Sequence, residues 1–423
     1  MKKLLILGFL PAFLYSTSLF AQSKTELISV DGIQMRAKTS GLTERKAHQP
    51  IVILEAGTGE SLEVWNAVFD QIAEFSPVLA YDRVGLGKSA ESAKIPSVDS
   101  RVKDLEALLA EMNIQPPYVL AGNNWGNLLI REFAEDHPSE VEGMIYVDPV
   151  LDIENTEQLS AYLTEKGLDG DQLAAEYMSY QAMRASNRSG SSKAEAELFM
   201  GILNDNELLW SSQAVPEVTS LVILGRRFNV FPMMGSLSMN SGEFFNLLIE
   251  SKMEYLDEYS SIHPEYSVLL SSGSMNSLLF QVPTQLAQSV RQVLYSDPNK
   301  KIVNAAHKLS PEEFDAFITD FYTYMPASLL SEETINMMGY SLMRLDKYKQ
   351  AVSLFKKNLE NHPNSANVYD SLGEGLLALG KVEEAVPLFK KAVEMGAEPQ
   401  HRDYALFKKN LIKGEEMLAG MEK

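Results

Sequence analysis

The residues with chemistry to offer lie directly behind short apolar runs. Leu54-Glu55-Ala56-Gly57-Thr58-Gly59, Tyr81-Asp82-Arg83-Val84-Gly85-Leu86-Gly87-Lys88-Ser89, Gly122-Asn123-Asn124-Trp125-Gly126 and Tyr146-Val147-Asp148-Pro149 each combine turn-forming residues with groups that hydrogen-bond or ionise. Midway between Gly122 and Gly126 the side chain is a carboxamide. It has no ionisable hydroxyl and is a poor nucleophile, so Asn124 cannot form the ester intermediate that a serine would give. Asparagine is also among the few non-glycine residues that tolerate positive φ, so it can hold a sharp turn without performing a reaction. The chain has no cysteine. That excludes disulfides, thiolate zinc sites, iron–sulfur clusters and thiol nucleophiles. No metal or organic cofactor signature is present, and none is expected.

The apolar runs must position these groups. Glu26 to Val30 and Ile33 to Ala37 flank Asp31-Gly32, a hairpin signal. Ile51 to Leu54, Val78 to Tyr81, Tyr118 to Ala121, Met144 to Val147, Ser220 to Leu224 and Lys301 to Asn304 follow, separated by helical patterns. Continuous apolar strands alternating with amphipathic helices predict an α/β domain with a mostly parallel sheet covered on both faces. Ligands on such sheets sit at the carboxyl ends of the strands.

Length and charge divide the chain. Its 423 residues predict two or three domains. The net charge of −20 argues against a nucleic-acid partner, since phosphate would be repelled and the longest basic runs are pairs. Residues 332–423 are nearly neutral, so the acidity belongs to the large domain before them. Lys2 and Lys3, the apolar run Leu4 to Leu14 and Ser18-Leu19-Phe20-Ala21 read as a secretory signal peptide over residues 1–21, which implies a periplasmic or secreted protein.

The last segment repeats. Gly339, Ala351, Phe355 and Pro363 recur 34 residues later as Gly373, Ala385, Phe389 and Ala397, and Leu342 is matched by Leu376. This period and order resemble the tetratricopeptide repeat. Two units plus a closing helix, His401 to Met417, are expected over 332–423, with second helices at Tyr348 to Asn358 and Val382 to Val393. So few units would bury their faces best by docking on the preceding domain. Either a concave peptide-binding surface around Asn336, Tyr340, Asp370 and Glu374 or a purely stabilising role fits this pattern.

Taken together, the motifs at the strand ends resemble the α/β-hydrolase superfamily, in its esterase-like and peptidase-like branches, closely over residues 26–150 and more weakly to 325. The resemblance implies an α/β-hydrolase fold over 22–328, with a helical lid at 151–214 and an extra helical insert at 233–281, rich in Met and Phe such as Phe231, Met233, Met234, Met239, Phe244 and Phe245. It also implies a nucleophile elbow Gly-x-Ser-x-Gly after the third of these strands. Here that elbow carries Asn124 at the nucleophile position, and no other Gly-x-Ser-x-Gly occurs in the chain. By the same resemblance His307, behind the run Lys301 to Asn304, takes the base position. No carboxylate follows Leu224 until Glu243, which leaves Asp148 as the alternative acid or as a residue that merely bonds its turn. Backbone N–H groups of Trp125 and of the Gly57-Thr58 turn would form the oxyanion pocket.

Three functions remain open on these residues. One is an exported, catalytically degenerate protein that binds a small acyl or carbonyl ligand, or a partner protein. Another is an ester or amide hydrolase with a non-standard nucleophile, using Ser61 or a water positioned by His307 and Asp148. The third is a repeat-based scaffold for a protein or peptide.

Overall fold

Alternate residues of each central strand serve opposite faces, and this period of two builds the core. A computed structural model describes residues 23–92, 95–205, 210, 214, 216–228, 237–275, 277–398 and 401–421. The expected signal peptide, and Phe231, Met233 and Met234 of the insert, lie outside the described residues. β1 (Lys24–Val30) and β2 (Ile33–Ser40) form the expected hairpin, with Asp31 and Gly32 at φ 48° and 81°. β3 (Ile51–Glu55), β4 (Val78–Tyr81), β5 (Tyr118–Asn123), β6 (Val141–Val147), β7 (Thr219–Phe228) and β8 (Tyr266–Met275) complete an eight-stranded sheet ordered β1-β2-β4-β3-β5-β6-β7-β8. β2 runs antiparallel to both neighbours, and the pairs from β4 through β8 are parallel.

Helices cover both faces. α1 (Asn66–Ala73), α2 (Val98–Glu111) and α3 (Gly126–Asp136) connect the first strands, with α2 started by a reciprocal Ser97–Ser100 capping box. Behind β6 come three lid helices: α4 (Thr156–Glu165), α5 (Gly170–Ser186) and α6 (Gly190–Asp205). Asn155 and Asp169 cap the first two through their side-chain oxygens. α7 (Ser241–Ile262) follows β7; the short α8 (Leu278–Gln281), α9 (Pro283–Leu294), α10 (Pro298–Lys308) and α11 (Pro311–Tyr324) follow β8. Ile51, Ile53, Leu120, Met144 and Val222 pack with α2, α3 and α7 on one face of the sheet. Val52, Leu54, Val119, Ala121, Ile145 and Ile223 pack with α1, α9, α10 and α11 on the other.

Two expectations are corrected. The run Lys301 to Asn304 is helix, not strand, because Ile302, Ala305 and Ala306 are buried at helical spacing within α10. The last strand is instead β8, inside the segment expected to be wholly helical; only 241–262 of that insert is a long helix.

The C-terminal helices are α12 (Glu332–Arg344), α13 (Tyr348–Asn361), α14 (Ala366–Ala378), α15 (Val382–Met395) and α16 (Tyr404–Met421). They stack as two pairs and a closing helix. The Phe355 ring lies over Gly339 and the Phe389 ring over Gly373, so close that a Cβ on either glycine would meet a ring carbon at 2.3 or 2.6 Å. α12 and α13 rest on α10 and α11, and the apolar core runs without interruption from the sheet to Phe389.

Candidate functional site

The turn between β5 and α3 is a true elbow. Asn124 stands at its apex with φ 49°, in the left-handed region. Gly122 and Gly126 permit the turn: a Cβ on Gly122 would lie 2.8 Å from the Asn127 nitrogen, and one on Gly126 2.6 Å from the Ala56 carbonyl oxygen. The Asn124 N–H donates to Val147 O at 2.9 Å, and the Asn127 carboxamide donates to both Asn124 O (2.9 Å) and Val147 O (3.0 Å). These bonds lock the apex onto the end of β6. Asn124 Oδ1 accepts a long bond, 3.5 Å, from the Thr58 hydroxyl.

The expected partners do not assemble around it. His307 is exposed near the end of α10, and its helix is tied to the amino ends of the strands: Lys301 pairs with Glu142 at 2.5 Å, and Lys308 donates to Ser139 O at 3.0 Å. Asn124 occupies the carboxyl end of β5, the opposite edge of the sheet. His307 was placed by the mistaken strand at 301–304; behind the actual last strand no histidine occurs before α10. Asp148 does lie beside Asn124, buried at the end of β6 with φ 43°, and its Oδ1 accepts from the Gly225 N–H of β7 at 2.9 Å. Ser61 precedes the turn Leu62–Trp65 and is not part of the cavity wall.

A cavity of about 180 Å³ opens above the elbow. Thr58, Glu60, Asn123, Asn124 and Asp148 form its floor, and Tyr177, Arg184, Arg188, Phe199, Met200 and Leu203 of the lid form its roof. None of the six histidines of the chain borders it. From α7, Lys252 reaches the wall and is paired with Glu154 at 2.6 Å. The turn expected to supply oxyanion donors is already engaged: Glu60 Oε2 accepts from the Gly57 N–H at 3.0 Å and from Asn123 Nδ2 at 3.1 Å. Trp125 is fully buried behind the elbow, against Phe199 of the lid. Of the apolar residues expected to line a pocket, Phe244 and Phe245 are buried in the core between α5 and α7, where Met239 is half-buried.

Residues 46–180 match the sequence model of a hydrolase family described as Serine aminopeptidase, S33. With the strand order and the glycine-framed elbow, this decides the fold. The large domain has an α/β-hydrolase fold. The chain is 32% identical over 118 residues to the uncharacterized protein YqjL of Bacillus subtilis, covering 28% of this chain and 44% of that protein. It is 28% identical over 134 residues to an AB hydrolase superfamily protein of Gibberella zeae, covering 30% of this chain and 42% of that protein. The match thus spans less than half the length of these relatives. Among solved structures, a haloalkane dehalogenase variant from Bradyrhizobium elkanii aligns with 65% of this chain and 97% of its own, at 16% identity and a TM-score of 0.46.

Sequence reasoning missed the residue that fastens the lid of the α/β-hydrolase domain. Glu195 of α6 is fully buried, and Arg83 grips it with Nε–Oε1 2.8 Å and Nη2–Oε2 2.7 Å. Arg101 Nε lies 3.0 Å from Oε1, and the Gly59 N–H donates to Oε2 at 2.7 Å. Burial alone would raise this carboxyl, but Arg83 and Arg101 hold it below the ordinary carboxylate range. Arg83 also bonds Glu55 and the carbonyls of Ala56 and Gly57, and Tyr81 bonds Glu55. The Asp82-Arg83 pair was visible in the sequence, whereas its partner 112 residues away carried no local signal.

Proposed function

We propose that this protein is a catalytically silent α/β-hydrolase-fold binder of a small acyl or carbonyl ligand, exported, with two tetratricopeptide units packed on the binding domain. The observation that carries the reading is Asn124 itself: a carboxamide in left-handed geometry at the nucleophile position, beside a cavity that no imidazole borders. Acyl transfer needs a nucleophile within hydrogen-bond reach of a base that a third group orients. Here the first is replaced, and the imidazole on α10 belongs to the other edge of the sheet. What persists is the elbow, the lid and the enclosed space, which are the requirements for holding a molecule.

The charged start and apolar run of residues 2–14 support export. The 34-residue recurrence of Gly339 over Phe355 and Gly373 over Phe389 supports the repeat assignment. Treating the purified protein with a fluorophosphonate probe and p-nitrophenyl esters tests the central point. Neither labelling nor turnover is expected; a labelled serine, or turnover lost when Asn124 alone is changed, would overturn the reading.

A further inference from the structure

The cavity wall carries charges of both signs, of which Lys252 and Glu154 pair with each other. On the floor, Glu60 and Asp148 place carboxylates beside Asn124, and the Gly57 N–H that could have met a ligand oxyanion is given to Glu60. On the roof, Arg184 and Arg188 stand one turn apart on α5 and its end. Among the described residues neither guanidinium has a carboxylate within ion-pair distance. Arg188 bonds the Thr58 carbonyl and, at 3.3 Å, Ser192 Oγ, while Arg184 meets Gln181 Oε1 at 3.4 Å and lies 5.8 Å from the Tyr180 ring centre. Burial first and then the neighbouring Arg184 push the Arg188 pKa down, against partial compensation by Glu60 and Glu195. In a chain of net charge −20, two arginines without a direct ion-pair partner share this cavity wall, Arg184 exposed and Arg188 half-buried.

Guanidinium forks match the geometry of carboxylates and phosphates. Phe199, Met200 and Leu203 of the roof, with Leu248, supply the apolar part of the lining. The enclosed volume corresponds to about six waters, room for a short chain and one head group.

We infer that the cavity binds a short-chain carboxylate with its head on Arg184 and Arg188 of the lid and its apolar tail along Phe199, Met200, Leu203 and Leu248. This rests on the binding role proposed above and adds the ligand class and its polarity. Two negative groups on the floor repel an anionic head there, and two cations on the roof attract it.

Isothermal titration of the full-length protein with hexanoate, hexanamide and hexyl phosphate tests this. Hexanoate is expected to bind, with affinity falling as salt rises, and to bind at least ~10-fold more weakly to Arg184→Gln and to Arg188→Lys, as expected for loss of a charge-assisted bond. Hexanamide should bind the unaltered protein more weakly than hexanoate. Arg344→Gln, on α12 and outside the cavity wall, should leave hexanoate affinity within ~3-fold. Tighter binding of hexanamide than hexanoate, or hexanoate affinity unchanged in Arg184→Gln and Arg188→Lys, would place the head elsewhere and overturn the inference while leaving a silent binder in place. Preference for hexyl phosphate over hexanoate would replace the carboxylate by a phosphate and also overturn it. Absence of all binding overturns the inference; ester turnover overturns the reading beneath it. Circular dichroism of each variant separates lost binding from lost fold.

Discussion

Glu195 and Arg83 form a two-point ion pair buried beneath the lid, 112 residues apart in the chain, with both oxygens of the carboxylate engaged. The lid is therefore fastened by charge as well as by apolar contact. Removing one partner of such a pair leaves the other charge buried and uncompensated. Glu195→Ala should cost ~3–5 kcal/mol of stability in urea unfolding, the scale of a broken buried pair. Amide exchange along α6 should quicken as well. Glu195→Gln keeps an acceptor for the Gly59 N–H and should cost less. An alanine variant as stable as the parent would show that the pair adds nothing to closure.

Asn124 suits its backbone better than a serine would. At φ 49° most side chains are strained, and asparagine is among those least so. Asn124→Ala should destabilise by ~1 kcal/mol, while Asn124→Gly should be neutral within ~0.5 kcal/mol. Asn124→Ser should gain no measurable esterase activity, because the hydroxyl would meet no imidazole. Ester turnover by that variant would mean that a base reaches the elbow after all.

Asp370 gives the C-terminal helices a pH dependence. Its side chain is 2% exposed, Oδ2 accepts from Asn410 at 3.0 Å, and Oδ1 has no partner. Burial first, then the nearby Glu374, pushes its pKa up to about 7, against partial compensation by Asn410. A raised carboxyl keeps its proton in the folded state while the unfolded chain has lost it. Stability therefore falls as pH rises from ~4 to ~7 and is level above that. Relative to Asp370→Asn, the parent should lose on the order of 2 kcal/mol between pH 5 and pH 8 in chemical unfolding. A pH-independent difference between the two proteins would contradict this titration.

Much of the scaffold was legible because it is written locally. Asp31-Gly32 marked the hairpin, the fully apolar runs marked β3 to β6, and the 34-residue recurrence marked the stacked pairs. Strand β8 was missed because Tyr266-Ser267-Val268-Leu269-Leu270-Ser271-Ser272-Gly273 has a polar end and follows a long helix, whereas Ile302-Val303 is too short to separate strand from helix by pattern. That single exchange moved the expected base to the wrong edge of the sheet. Glu60 and Glu195 act through contacts made only after folding. Arg184 and Arg188 likewise reach the cavity wall only through the folding of the lid over the strand ends.

The two chain halves should also unfold together. Phe355, fully buried, packs under Gly339 and belongs to the same core as Phe314, Phe317 and Phe321 of α11, which continues to the sheet through α9 and α10. A Cβ on Gly339 would come within 2.3 Å of the ring of Phe355, a residue with no exposed surface. Gly339→Ala should therefore destabilise by ~1–3 kcal/mol, the usual cost of overpacking a filled core. Because the core is shared, calorimetry should show one transition moving down as a whole. Gly373→Ala, one unit farther from the sheet, should cost a similar amount. Two resolved transitions, with only the smaller shifted by Gly339→Ala, would mean that the helical pairs fold apart from the domain on which they rest.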